Sequence, residues 1–243
     1  MSWLVDSLSY LFDPASWTRD GLGEQLVDHL GLAALSLLVA TLVAVPVGLV
    51  LGHTGRGGAL AINISNIGRA VPTFAVLVIF VLLPQPFGAN TASFVLALAL
   101  FSIPPLLTNT YTGMREVDRS AVDAARGLGM SPWQMLVRVE LPLATPLLMV
   151  GLRIAAVQVV ATTTVVGLVS TRTLGAAIRG GIATQDQPRV IAGALLVAAV
   201  AVVVELALAA LERRVGGASR RRSTPPRRGR RAGRLAASTS SAG

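Results

Sequence analysis

The fold class this sequence predicts is all-α, a polytopic membrane protein with five transmembrane helices. Three observations predict it. Hydrophobic residues make up 53% of the 243 residues and charged residues only 14%, a balance foreign to a water-soluble domain. Two long stretches, 30–51 and 70–114, carry no formal charge at all, as spans in a hydrocarbon slab require. Basic residues gather in the segments between and after the apolar runs, where a membrane protein keeps them.

The first span is expected at 30–51. Residues 1–29 read as an amphipathic segment outside the membrane on the far side from the cytoplasm. Asp6, Asp13, Asp20, Glu24 and Asp28 interrupt any apolar run there, so no cleaved leader is expected. The second span has a length problem, because 70–83 offers 14 residues where about 20 are needed. It must therefore start near Leu60, which carries Asn63, Asn66 and Arg69 into the slab, with Arg69 roughly 14 Å deep at helical rise. Pro84, Pro86 and Gly88 then make a turn. Further spans follow at about 92–111, 143–169 and 190–211. The transmembrane unit is expected over 30–212 with a 114–142 loop inside it. A 213–243 tail rich in Arg, Pro, Ser and Gly cannot bury a core.

Five spans put the termini on opposite sides, and arginine decides which. Fifteen arginines fall on the side of the tail, Arg56 and the 114–142 loop, against Arg19, Arg172, Arg179 and Arg189 on the other. Basic loops stay in the cytoplasm, so the N-terminus is expected outside and the C-terminus inside. Ten of the 21 basic residues lie in the last 31 positions. The net charge of +9 is thus a tail rather than a nucleic-acid face. That tail is either a topology anchor or a ligand for anionic lipid head groups.

Composition also bounds the chemistry. There is no cysteine, hence no disulfide, thiolate metal site or thiol nucleophile. The only histidines, His29 and His53, lie near span ends and are expected at the interface. No metal site and no catalytic constellation can be assembled from them, and no Gly-x-x-x-x-Gly-Lys-Ser/Thr loop exists in a chain without lysine. The protein is not expected to be an enzyme or to bind a cofactor directly.

The loop between the third and fourth spans carries the most specific pattern. Small residues flank one helical turn, Gly129 follows, and Ser131-Pro132 reads as an N-cap with proline at the first helical position. A helix–turn–helix lying on the membrane is implied. Leu128, Met130, Trp133 and Met135 give it more apolar surface than a solvated loop shows, so something is expected to cover it. Asp123-Ala124-Ala125, three residues, Gly129, nine residues, Val139, one residue and Leu141-Pro142 resemble the cytoplasmic signature of the permease subunits of type I ATP-binding-cassette importers. Asp stands for that pattern's Glu and Val for its Ile.

The resemblance implies the type I importer permease fold. It makes the loop a coupling helix for a separate cassette ATPase, carried by Asp123, Ala124, Ala125, Gly129, Leu141 and Pro142. Ala124 and Ala125 permit close approach, Gly129 a sharp turn, and Pro142 is expected to start the fourth span. It also implies a second permease subunit, identical or paralogous, a substrate-binding protein outside, ATP used by the partner, and the bacterial cytoplasmic membrane as location.

A narrower resemblance rests on Asn66-Ile67-Gly68-Arg69-Ala70-Val71-Pro72-Thr73-Phe74-Ala75, on Asn109-Thr110-Tyr111-Thr112-Gly113 and on 124–134. These are similar to the osmoprotectant branch, which imports glycine betaine, choline, carnitine or proline. The chain departs from that branch where a Gly-Ala-Gly-Gly-Leu-Gly-like stretch is usual, reading Ser170-Thr171-Arg172-Thr173-Leu174-Gly175 after Val169. A quaternary amine wants an aromatic cage, yet all three tryptophans lie outside the spans. The cage is then expected on the binding protein.

Within the spans, Asn63, Asn66, Arg69 and Pro72 are the candidates for the translocation path or gate. Asn63 and Asn66 share a helical face. Arg69 faces the path or a subunit interface, or makes a structural ion pair, or snorkels. Arg153 is expected to snorkel or brace the loop, with Glu205 a partner for either arginine. Pro72, Pro104 and Pro105 loosen backbone for gating or shape packing. The rivals are a permease of a related importer for amino acids or other small polar solutes, and an ATP-independent channel or secondary transporter. The latter would show repeats or intramembrane carboxylates for ion coupling.

Overall fold

Helix accounts for the described chain, with no strand among the described residues. The computed structural model describes residues 2–17, 21–84 and 86–220. In order, the helices are α1 (Ser2–Phe12), α2 (Leu22–Thr54), α3 (Gly58–Ala70), α4 (Thr73–Leu82), α5 (Thr91–Arg115), α6 (Arg119–Gly127), α7 (Pro132–Met135), α8 (Leu141–Val166), α9 (Leu174–Thr184) and α10 (Gln187–Arg220). A 3₁₀ turn at Pro14–Trp17 follows α1, and a π-helical turn at Leu136–Glu140 joins α7 to α8.

Four helical stretches are long and apolar enough to cross a membrane: Leu22–Thr54, Thr91–Arg115, Pro132–Val166 and Gln187–Arg214. The fifth expected span is a pair of helices, Gly58–Gly68 and Thr73–Leu82, bent by 81°. Proline causes the break. Pro72 has no N–H to donate and pushes Val71 out of the helical region, to φ −76 and ψ 128.

The helix of the first span starts at Leu22, ahead of the apolar run. At 33 residues it is about 50 Å long, more than the roughly 30 Å hydrocarbon core, so its first turns stand beyond the slab. Those turns still pack: Leu22 meets Leu174 and Ala177, and Tyr10, Leu11 and Leu26 close over them. His29 is fully buried within the bundle, its Nε2 donating to the Val160 carbonyl at 2.9 Å.

Lipid offers no hydrophobic drive between helices, so close backbone approach carries the packing. Along α2, Ser36, Ala40, Ala44, Gly48 and Gly52 recur every fourth residue, and all are buried. They face α5. A Cβ on Gly48 would lie 2.7 Å from Thr110 Cβ, and one on Gly52 2.3 Å from Met114 Cβ. On the other side of α5, a Cβ on Gly151 would lie 2.6 Å from Asn109 Cβ, and one on Gly113 3.1 Å from the Ala144 carbonyl. Helix α5 is thus clasped between α2 and α8.

Pro104 and Pro105 sit inside α5, which runs unbroken through them. Pro105 leaves the Phe101 carbonyl without its helical donor. Gln158 Nε2 on α8 donates to that oxygen at 3.2 Å, so the defect becomes an interhelical tie.

Helix α10 lies against α8, α9 and α1, with Val202, Val203 and Leu206 outward, as a lipid-facing helix requires. Arg153 on α8 is held by two of its carboxylates, Glu205 Oε1 at 2.9 Å and Glu212 Oε2 at 2.6 Å. These ion pairs tie α8 to α10. The Arg153 guanidinium fork fits two acceptors on one helix face. Arg153→Leu is expected to strand both carboxylates and cost about 2–3 kcal/mol. The check is thermal unfolding in detergent, where Tm should fall by roughly 5 °C or more.

Candidate functional site

The 114–142 loop is built from local signals. Asp118 caps α6, accepting from the Ser120 N–H at 2.9 Å. Those hydrogen bonds hold its carboxyl below the usual aspartate range. Because the folded value is depressed, the cap is complete above the ordinary value near 3.9 and is lost as pH falls through the lowered one. Hydrogen exchange at Ser120–Val122 should accelerate only in that acid window, and Asp118→Ala should give the fast rates at neutral pH.

Helix α6 ends in a Schellman motif. The Met130 N–H reaches the Ala125 carbonyl at 3.2 Å and the Gly129 N–H the Arg126 carbonyl at 3.0 Å, with Gly129 at φ 76. Glycine is the residue for that left-handed position. Ser131 then opens α7 with a complete capping box, its Oγ accepting from the Gln134 N–H while Gln134 Oε1 accepts from the Ser131 N–H. Pro132 sits at the first helical position.

The two short helices do not float. Val117, Val122, Ala125 and Met135 are buried together with Met114 of α5 and Ala144 of α8, and Leu49 of α2 packs on the cluster. Three long helices therefore meet one lever. Of the signature residues, Ala125 faces this cluster while Asp123, Ala124 and Gly129 are exposed. Asp123 pairs with Arg126 at 3.2 Å on the surface, a contact worth little. Of the four apolar residues expected on the outside, Leu128 (79%) and Trp133 (71%) are strongly exposed. Met135 is buried and Met130 half-buried.

Pro142 is the second residue of α8, where a proline's missing N–H costs least. Helix continues back from there to Pro132, because the π-helical turn ahead of Leu141 routes the Leu141 N–H to the Leu136 carbonyl. Glu140, buried in that turn, accepts from His53 Nδ1 at 2.5 Å. Sequence reasoning missed this tie between α2 and the base of the loop. Glu140 stands in the signature's one-residue gap between Val139 and Leu141, and 87 positions separate it from His53.

The candidates in the bent pair are placed differently. On α3, Ala61 and Ser65 are buried and Gly68 approaches Pro104, while Asn63 and Asn66 are exposed. The two asparagines do share a face, and it is turned away from α5. Pro72 is exposed at the break. The backbone of Arg69 lies in α3, and its side chain falls outside the described residues, as does the tail beyond Arg220.

At the end of the bundle opposite the loop, Arg172 takes the place of the expected glycine-rich stretch. Its Nε donates to Asp28 Oδ2 at 2.9 Å and its Nη1 to Thr91 Oγ1 at 2.8 Å. The Asp28 carboxylate raises the guanidinium pKa further above its ordinary value. One side chain thus joins the start of α2, the start of α5 and the α8–α9 turn.

A bundle of helices long and apolar enough to cross a membrane, with two short helices packed across one end of it, has the form of a membrane transport component. The chain belongs to the family of binding-protein-dependent transport system inner membrane components, whose model matches residues 44–217. Among its relatives, the choline transport system permease protein OpuBB of Bacillus subtilis is 32% identical over 77% of this chain and 85% of its own length. The carnitine transport permease protein OpuCD of Listeria monocytogenes is 32% identical over 86% and 93%. The osmoprotectant import permease protein OsmY of Salmonella typhimurium is 35% identical over 77% and 79%. A chain of the inward-facing MetNI methionine ABC transporter superposes with a TM-score of 0.69 at 21% identity, covering 80% of this chain and 95% of that one. It shares the fold.

Proposed function

We propose that this chain is the permease subunit of an ATP-driven, binding-protein-dependent importer of osmoprotectants such as glycine betaine, choline, carnitine or proline. The observation that carries the reading is the lever. Ala124, Leu128 and Trp133 stand exposed on two short helices that are themselves locked into α2, α5 and α8. An exposed apolar patch on a rigid support is the form of a docking surface, and a cassette ATPase is its occupant. Asp123, Gly129, Leu141 and Pro142 position it.

The arginine distribution supports an inside location for that surface and an outside location for the N-terminus. Four or five spans do not enclose a path alone, so two permease subunits pair, and Asn63, Asn66, Arg69 and Pro72 are assigned to the path or its gate. A binding protein delivers solute on the other face. The osmoprotectant class rests on the substrates of the relatives and on the motifs at 66–75 and 109–113. The test is reconstitution in vesicles with candidate cassette ATPases and binding proteins, reading uptake of labelled osmolytes against ATP. ATP-dependent uptake supports the reading. Transport with no ATPase present would hand it to a channel or secondary transporter, and uptake of amino acids alone to a related importer.

A further inference from the structure

Opposite the lever, a solvent-open cavity of about 550 Å³ lies between the first turns of α2, the α8–α9 turn, α9 and the start of α10. Its volume is that of a small-molecule site. The described residues that line it include Glu24, Gln25, Asp28, Arg172, Arg179 and Arg189, and none of the described lining residues is aromatic.

The groups there are not all spent. Arg172 is occupied by Asp28 and Thr91. Arg179 is exposed and makes no ion pair among the described residues. Arg189 is half-buried, with its Nε buried and without a hydrogen-bond partner. Gln25 is only 9% exposed, and its Oε1 is buried and unpartnered too. A buried donor of a guanidinium left unmatched is costly, and amide oxygen and nitrogen exchange places by a simple flip. The shape is also prepared for Arg189. A Cβ on Gly180 would sit 3.0 Å from its Nη2, so glycine there leaves the room in which the guanidinium rests on α9.

We propose that this cavity binds the carboxylate of a small zwitterionic solute, with Arg179 and Arg189 as its ligands and the Gln25 amide beside them. The proposal rests on the importer reading and deepens it by naming the recognised group. A guanidinium fork takes a carboxylate bidentately, whereas a cavity with no aromatic wall has nothing to hold a quaternary ammonium by its face. Glycine betaine, carnitine and proline carry the carboxylate; choline does not. The permease itself then discriminates between solutes of similar cationic end.

The experiment is equilibrium binding of labelled glycine betaine to the full chain in lipid nanodiscs, with no ATPase or binding protein, competed by acetate and by choline. Expected is saturable millimolar binding, displaced by acetate and not by choline. It should weaken about tenfold or more in Arg189→Gln, the scale of one lost charge-assisted pair, and less in Arg189→Lys. Gly180→Leu, which displaces Arg189 without removing it, should weaken it as well. Competition by choline equal to that by acetate, or the absence of saturable binding, overturns the proposal. So does Arg189→Gln binding glycine betaine normally while failing to respond to a binding protein, which would make the cavity a docking surface. Because binding is read without ATP, failed uptake in reconstituted vesicles would count against the importer reading and leave this result standing.

Discussion

Gly129→Val is expected to cut ATP-driven uptake about tenfold or more while the protein still inserts and purifies as wild type. Gly129 holds φ 76 at the turn between α6 and α7, and a β-branched residue there costs roughly 2 kcal/mol or more of backbone strain. The space around it is open, with nothing within 4 Å of a built Cβ. The damage is therefore confined to the turn. The Schellman bonds from Met130 and Gly129 would give way, and α6 would no longer hold its angle to α7. The Ala124, Leu128 and Trp133 surface would be present but no longer aimed.

Two companions separate strain from bulk. Gly127→Ala also meets nothing within 4 Å but lies in α6, so uptake should be unchanged and the helix firmer by about 0.5–1 kcal/mol. Gly129→Asn, tolerated in the left-handed region, should fall between. The measurement is uptake and ATP hydrolysis side by side in proteoliposomes. Coupled uptake at the wild-type rate in Gly129→Val would remove the lever from the mechanism.

The loop could be read from sequence because its instructions are short-range. Glycine at 129 and Ser131-Pro132 act on neighbours a few residues away, and the structure has the left-handed turn and the N-cap there. What could not be read depends on partners far along the chain. The Ser36–Ala40–Ala44–Gly48–Gly52 stripe is unremarked in a run of small and apolar residues until α5 lies against it. Glu205 was a candidate partner for Arg153 from its place in the last span, whereas Glu212 at the end of that span was not, because two acids on one arginine is a three-dimensional fact.

The bent pair sits between these cases. A 14-residue apolar run and Pro72 both signalled trouble in the second span, and neither gives an angle. Pro142 does stand in the first turn of α8; what its place in the chain does not give is the π-helical turn that joins α7 to α8 just ahead of it, a device with no sequence signature of its own. For His29 the position in the chain does not give its partner, the Val160 carbonyl on α8, which lets it be buried in the bundle.

The largest loss of stability is expected from Gly175→Ala. A Cβ at that position would lie 1.8 Å from the Thr164 carbonyl oxygen and 2.8 Å from its carbon. Its neighbour across the turn is also glycine: a Cβ on Gly167 would lie 2.3 Å from the Ala176 nitrogen. Both obstacles are backbone, and neither can swing aside as a side chain end can. A single methyl group must therefore push α9 off the end of α8, which unpacks Leu174 from Leu22 and shifts Arg172 from Asp28 and Thr91. Several such contacts fail together, so the cost should reach about 3–5 kcal/mol, a fall in Tm of roughly 10 °C or more. Gly31→Ala, with open space around it in mid-α2, is the control and should be neutral or slightly stabilising. If Gly175→Ala melted with the wild type, the backbone contact would be wrong.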